Sequence, residues 1–224
     1  MSYQHKDIYG RILPLTPGKL VCVGRNYRAH AEEFGNQVPE QPMLFIKPSC
    51  TLQPLTKPIQ WPQVLGCCHH ELELCLLIGK ELVSPTPKQS MEAIWGYTLG
   101  LDLTLRDQQN LLKAKSMPWE RAKSFPGSAP MGTFIPAKEV KSVRDLQLEL
   151  QINGGVRQAA ETNSMVFNVL ELVCEAANAF TLQPGDIVMT GTPAGVGSLR
   201  RGDDLHLQLQ GADQHWAWKT RVAG

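Results

Sequence analysis

Two acids stand inside a segment that is otherwise built to be buried: residues 66–79 read GCCHHELELCLLIG. Glu71 and Glu73 are two apart. Along a strand, residues i and i+2 share a face, whereas on a helix they diverge. A strand here sets the two carboxylates side by side and sends Leu72, Leu74 and Leu76 the other way. Adjacent carboxylates repel, and one stays protonated unless a cation lies between them. A third acid, Asp102, falls in YTLGLDLTLR (97–106). Strict alternation there puts Leu99, Leu101, Leu103 and Leu105 on one face and Asp102, Thr104 and Arg106 on the other. Three carboxylates make a hard oxygen donor set, suited to Mg²⁺ or Mn²⁺ rather than Zn²⁺. On spacing alone, the wet face of an edge strand is an equally good home for Glu71 and Glu73.

The neighbouring cysteines and histidines first suggest zinc. None of the six cysteines, at 22, 50, 67, 68, 75 and 174, forms a C-x-x-C pair. Cys67, Cys68 and Cys75 read as small buried hydrophobes, and His69 and His70 as structural residues satisfied by hydrogen bonds. His30 and Glu33, three apart in NYRAHAEEFG, meet on a helix. A carboxylate so placed raises the histidine's basicity and fixes its tautomer, as in a general-base dyad; a routine exposed pair is the plainer reading. Lys123 in PWERAKSF and Arg106 read as surface cations. So does Lys47, although its FIKP context would demand a nearby anion if it were buried. The run GTPAGVGS (191–198) fits neither the Walker A pattern nor G-x-G-x-x-G. It leaves a tight turn whose backbone N–H groups and Thr192 hydroxyl could hold a small anion, or a plain strand connection.

The elements that must position these groups are legible in outline. KLVCVG (19–24) is a short buried strand, and NYRAHAEEFG a short helix closed by Gly35. Six prolines between 36 and 64 mark a loop, interrupted by the apolar MLFIKP. DQQNLLKAKS is a helix stopped before Pro118. LQLELQINGGVRQ carries the alternation and Asn-Gly turn of a hairpin. The spacing from Thr162 to Phe180 predicts a helix with Val169, Leu172, Val173, Ala176 and Phe180 on one stripe. GDIVMTGTP and GDDLHLQLQG are further strands. Many strands and few helices, without βαβ order, predict an α+β fold.

A chain of 224 residues fits one large domain, 19–224, behind a short N-terminal extension, 1–18. Twenty-two basic against 21 acidic residues leave a net charge of +1, which argues against a nucleic-acid or membrane-surface partner. No apolar run approaches the ~20 residues that span a bilayer. MSYQHKDIYGRILPL lacks a signal-peptide core, so a reducing compartment is expected, cytoplasmic or mitochondrial.

Several pieces together resemble one family. VCVGRNYRAHAEE, PMLFIKP, HHELELCLLIG, GYTLGLDLTLRD, PWERAKSF, INGGVRQ and GDIVMTGTPAGVG follow, in order, segments of the fumarylacetoacetate hydrolase superfamily, especially its short acylpyruvase-like members. The resemblance implies a mixed β-roll or β-sandwich with peripheral helices, usually as a homodimer. It implies Mg²⁺ or Mn²⁺ on Glu71, Glu73 and Asp102, a lid dyad of His30 and Glu33, and an active-site lysine at Lys123. Lys47, Arg106, Gln109 and Thr192 fall on positions that look like substrate contacts. The extra N-terminal domain of the longer members is missing, which argues against fumarylacetoacetase itself.

The chemistry so implied acts on a small 2-oxo acid, with electrons collecting as an enolate on the 2-oxo oxygen. The leading expectation is hydrolysis of the C3–C4 bond of an acylpyruvate, fumarylpyruvate or acetylpyruvate, by water activated at His30–Glu33. The alternative is an oxaloacetate decarboxylase or keto–enol tautomerase, expected to tolerate loss of His30. A non-catalytic binder of oxo acids is the third possibility.

Overall fold

The computed structural model describes every residue except Met1, Phe34 and Asn36. The first half contributes strands β1 (Leu20–Gly24), β2 (Met43–Lys47), β3 (Leu52–Pro54), β4 (Cys68–His70), β5 (Leu72–Ile78), β6 (Ile94–Leu101) and β7 (Thr104–Leu105). The second half adds β8 (Ala129–Met131), β9 (Ile135–Pro136), β10 (Gln147–Ile152), β11 (Gly155–Glu161), β12 (Ile187–Met189), β13 (Gly197–Ser198), β14 (Asp204–Gln210) and β15 (His215–Arg221). The α-helices are α1 (Arg28–Glu33), α2 (Pro87–Ala93), α3 (Arg106–Ala114), α4 (Glu120–Lys123) and α5 (Val169–Phe180). This is the α+β architecture expected, with helices at the periphery of the strands.

The largest sheet runs β2-β1-β12-β5-β6-β8-β3, with β9 also paired to β6. It is mixed: β1 lies parallel to β12 and β3 to β8, whereas β12–β5 and β5–β6 are antiparallel. A second sheet, β11-β10-β14-β15, packs on one of its faces, and a small one, β13-β4-β7, closes the end near the acids. Leu72, Leu74, Leu76 and Ile78 of β5 join Leu148, Leu150, Leu205, Leu207 and Leu209 in one core between the two large sheets. Cys75 and Leu77, on the reverse face of β5, enter a second core with Leu20, Met189 and Phe134. A strand buried on both faces reads as a nearly continuous apolar run. Residues 2–18 lie against this second core, with His5 buried and hydrogen-bonded to the Gly185 carbonyl.

The Asn153-Gly154 hairpin forms between β10 and β11 with both central residues at positive φ, 53° and 78°, as a tight primed turn requires. Two expectations are corrected. The alternating run 97–106 is not one strand: β6 ends at Leu101, Asp102 and Leu103 lie outside any strand, and Arg106 opens α3. The helix expected over 162–180 starts at Val169, because Asn168 caps it and Glu171 completes a reciprocal capping box. Phe180, the last member of its stripe, is exposed. Helix α1 occupies the expected stretch, although Phe34 lies outside the described residues. Among the described residues, no helix is long and apolar enough to cross a membrane.

Candidate metal centre

Glu71 stands at the break between β4 and β5, Glu73 on β5, and Asp102 just past the end of β6. Strands β5 and β6 pair Leu72 with Leu101 and Glu73 with Gly100. The Asp102 N–H then donates to the Glu71 carbonyl at 2.8 Å, tying the two breaks together. All three acids are buried, and ligand oxygens from each lie within 4.8 Å of one another. The edge-strand reading is therefore excluded: β5 is an interior strand, and Glu73 is 1 % exposed.

The surface readings of the basic residues fail as well. Lys47, fully buried, donates to Asp102 at 2.5 Å and to the Ser128 carbonyl at 2.9 Å. Lys123, at the end of α4, donates to Glu71 at 2.6 Å and to Asp102 at 2.5 Å. Arg106 pairs with Glu71 and donates to Gln109, one turn further along α3, at 2.5 Å. Buried ions persist only when paired and hydrogen-bonded, and this lattice of contacts meets that demand.

The charges are not shared evenly. Burial alone would raise the Glu71 pKa, but Lys123 and Arg106 outweigh it and hold the carboxyl well below the usual range. Burial would lower Lys123, but Asp102 and Glu71 hold its ammonium above its ordinary value. Glu73 goes the other way: burial, then the charges of Asp102 and Glu71, push it well up, and the Gly191 N–H at 2.8 Å only partly offsets them. An acid in that position takes a proton or a cation. Three buried carboxylates, one of them short of positive charge, fit a hard divalent cation, and each oxygen already bonded keeps a second lone pair for it.

Two N–H groups of the turn at 191–198 are taken by the protein's own acids. Gly191 holds Glu73, and Gly195 holds Glu33 at 3.2 Å. Gly191 has φ 95°, and a Cβ there would come within 2.8 Å of the Asn26 Cβ. Asn26, fully buried, fastens the exit of β1 to this turn by donating to the Thr190 and Phe167 carbonyls at 2.8 and 3.0 Å. The Thr192 hydroxyl accepts from Gln158 at 2.8 Å.

Helix α1 brings His30 Nδ1 to 3.4 Å from Glu33. Burial lowers the His30 pKa, with Glu71 and Glu33 pulling the other way, so the ring stays neutral near pH 7. Both histidines of β4 have hydrogen-bond partners. His69 bridges Arg106 Nε, at 3.4 Å, and the Ser198 hydroxyl, at 3.0 Å, and burial followed by the Arg106 charge lowers its pKa to about 4. His70 meets Gln158 at 2.9 Å. Cys68 and Cys75 are buried, whereas Cys67, expected to be so, is exposed.

His30, Glu71, Glu73, Asp102, Arg106, Gln109, Lys123 and Thr192 line one open cleft, joined by Arg25, Phe45, Lys113 and Trp119. Lys47 lies behind it and Glu33 beside it, so every residue singled out from the sequence belongs to one neighbourhood. The sequence reading missed Gln158. Its buried amide uses both ends: the oxygen accepts from the Leu72 N–H and His70, and the nitrogen donates to Thr192 and the Pro193 carbonyl. It also missed Asn26, Arg25 and Lys113. Gln158 and Asn26 carry no local signal, because their partners lie far away in the chain.

The comparisons with known proteins agree with this geometry. Over 210 residues the chain is 44 % identical to oxaloacetate tautomerase YcgM of Escherichia coli (strain K12), covering 93 % of this chain and 96 % of that one. It is 40 % identical to the mitochondrial oxaloacetate decarboxylase of Dictyostelium discoideum, over 88 % of this chain and 91 % of the other. Among solved structures, fumarylpyruvate hydrolase from Pseudomonas aeruginosa in complex with Mn²⁺ and pyruvate superposes with a TM-score of 0.91 at 35 % identity, covering 99 % of this chain and 96 % of that one. The model of the fumarylacetoacetate (FAA) hydrolase C-terminal domain matches residues 19–215, most of the chain. On sequence, fold and site together, the chain belongs to the fumarylacetoacetate hydrolase family.

Proposed function

We propose that this protein is a divalent-metal-dependent oxaloacetate tautomerase, exchanging the enol and keto forms of that 2-oxo dicarboxylate. One observation carries the reading: a permanently charged Lys123 and a neutral His30 share a cleft with three buried carboxylates. Keto–enol exchange needs a base at C3 and positive charge at the 2-oxo oxygen, and nothing further. The tautomerase and decarboxylase names of the curated relatives favour oxaloacetate over an acylpyruvate, reversing the order set by the sequence alone.

Mg²⁺ or Mn²⁺ on Glu71, Glu73 and Asp102 would supply Lewis-acid polarisation of the 2-oxo group. Lys123, clamped between Glu71 and Asp102, offers its remaining N–H to the negative charge that develops on the 2-oxo oxygen. Neutral His30 takes the proton from C3 of the keto form while the 2-oxo oxygen gains one from solvent water; in reverse the enol O–H proton leaves to water and the imidazolium protonates C3. Glu33, itself held by Gly195, orients that ring and stabilises the imidazolium while it exists. A base is thus part of the tautomerase, and the expectation that it tolerates loss of His30 is dropped. Arg106 and Gln109 hold each other at the cleft wall, and Thr192, accepting from Gln158, keeps its own hydroxyl proton for the substrate carboxylate. Lys47 neutralises Asp102 from behind.

A second reading, acylpyruvate hydrolysis, is favoured by the neighbour described as a fumarylpyruvate hydrolase, in which His30–Glu33 would activate water instead. Proton NMR of metal-stripped protein with added Mg²⁺ separates them. Faster exchange of oxaloacetate enol and keto forms without pyruvate is the expected result. Pyruvate from oxaloacetate, or pyruvate with acetate or fumarate from the acylpyruvates, would replace the tautomerase by the decarboxylase or the hydrolase. A second copy of the chain is the proposed partner, which sedimentation tests directly.

A further inference from the structure

We propose that Arg25 and Lys113 form a subsite for the distal carboxylate of the substrate, making the cleft selective for short 2-oxo dicarboxylates. This deepens the tautomerase reading and rests on it for the placement of the 2-oxo end at the acids.

The cleft carries more positive charge than its own acids can use. Four cations, Arg25, Arg106, Lys113 and Lys123, line it with three carboxylates. Two of the carboxylates are already engaged by cations: Glu71 by Arg106 and Lys123, Asp102 by Lys47 and Lys123. Among the described residues, neither Arg25 nor Lys113 forms an ion pair with a carboxylate. A divalent ion on the triad would widen the excess to three positive charges. A monoanionic 2-oxo acid removes one of these, a dicarboxylate two.

The two cations are also held in place. Lys113, on α3, sets its Nζ 5.2 Å from the centre of the Trp119 ring, a cation–π contact that keeps the ammonium at the cleft wall. Burial, then the like charges of Arg106, Arg25 and Lys123, lower the Lys113 pKa, with Glu71 pulling the other way. Arg25 follows the last residue of β1 with φ 60°. Left-handed backbone is rare for arginine and persists where the surroundings impose it, often at ligand sites. It turns the chain out of the strand at the cleft, where the side chain becomes part of the lining. An arginine and a lysine lining one cleft, neither in an ion pair with a protein carboxylate, suit a substrate carboxylate: the guanidinium matches its two oxygens and the ammonium adds a point charge.

The test measures binding, so that it does not depend on turnover. The Mn²⁺-loaded full chain is titrated calorimetrically with 3,3-difluoro-oxaloacetate, which has no C3 hydrogen and does not enolise, and with its 4-ethyl ester. Wild type is expected to prefer the diacid. Arg25→Asn/Lys113→Gln, in which asparagine tolerates the left-handed backbone, should reduce that preference about 10- to 100-fold, the range for hydrogen bonds to charged groups. Lys113→Gln alone, at an exposed helix position, should give part of the effect and stands in if the double variant does not fold. An unchanged preference in the variants, or equal binding of diacid and ester by wild type, overturns the subsite. Failure of the tautomerase reading looks different: enol exchange is absent while the diacid preference remains.

Discussion

Replacing Glu73 with glutamine separates two opposing effects of one side chain. Folding carries this carboxyl into a buried site beside Asp102 and Glu71, which raises its pKa well above the ordinary glutamate value. The native state therefore binds a proton that the unfolded chain has released, and stability falls as pH rises from the unfolded glutamate value toward the folded one. Glutamine mimics the protonated acid and can still accept from Gly191. Metal-free Glu73→Gln should be at least as stable as wild type at pH 7, and its stability should lack that downward slope. With metal the order reverses. At 100 times Kd, Mn²⁺ stabilises wild type by about 2.7 kcal/mol. For a chain of this size each kcal/mol moves Tm by about 2–4 °C, so the expected gain is about 5–11 °C. The variant, with one of three ligands lost, should gain under about 2 °C at the same Mn²⁺. Scanning calorimetry with EDTA or Mn²⁺, from pH 5 to 8, reads both effects. A metal-free variant several degrees below wild type, or one with the full metal gain, refutes the reasoning.

Other perturbations have defined outcomes. Lys123→Met should lower the tautomerase rate by about 10²–10³-fold and reduce metal-free stability by about 3–5 kcal/mol, since Glu71 and Asp102 lose the ammonium they share; enol-decay kinetics and urea titration measure the two losses. His30→Ala should cut kcat by about 10²–10⁴-fold with KM for oxaloacetate little changed. Because burial lowers its pKa, the His30-dependent fall of the wild-type rate should come below the ordinary histidine range, on the acid side; a kcat/KM profile with that limb intact in the variant assigns the base elsewhere. Buried His5 has its pKa lowered from 6.5 to about 4 by burial, against the pull of the Gly185 carbonyl. The unfolded chain thus binds the extra proton between these values, and stability should fall by about 3 kcal/mol as pH drops through that window. Calorimetry should find this slope reduced in His5→Gln.

The parts of the site visible in the sequence are those whose signal is local. The i, i+2 spacing of Glu71 and Glu73 survives the break before Leu72, since both acids reach the same cleft. His30 and Glu33 lie one helical turn apart, and Asn153-Gly154 makes its own turn. Alternation misled at 97–106, where the leucines continue past the end of the strand. Leu101, Leu103 and Leu105 are all buried, but Leu101 ends β6, Leu105 lies in β7, and the break at 102–103 turns Asp102 toward Lys47 and Lys123. Local propensity placed the start of α5 too early, at Thr162, because only the Asn168 and Glu171 pair stops it there. Gln158 was invisible for a different reason: its four hydrogen bonds reach strands and turns distant in sequence. The same holds for Lys47, whose FIKP context flagged an anion without saying which.

The central claim is that the three acids hold a divalent ion on which enol–keto exchange depends. Stopped-flow absorbance of oxaloacetate enol, followed as Mn²⁺ is titrated into metal-stripped protein, tests it most directly. The rate is expected to start at the solution value, climb with Mn²⁺ and saturate at one ion per chain. A rate already maximal in EDTA, or one that never departs from that of free Mn²⁺ in buffer, would contradict it.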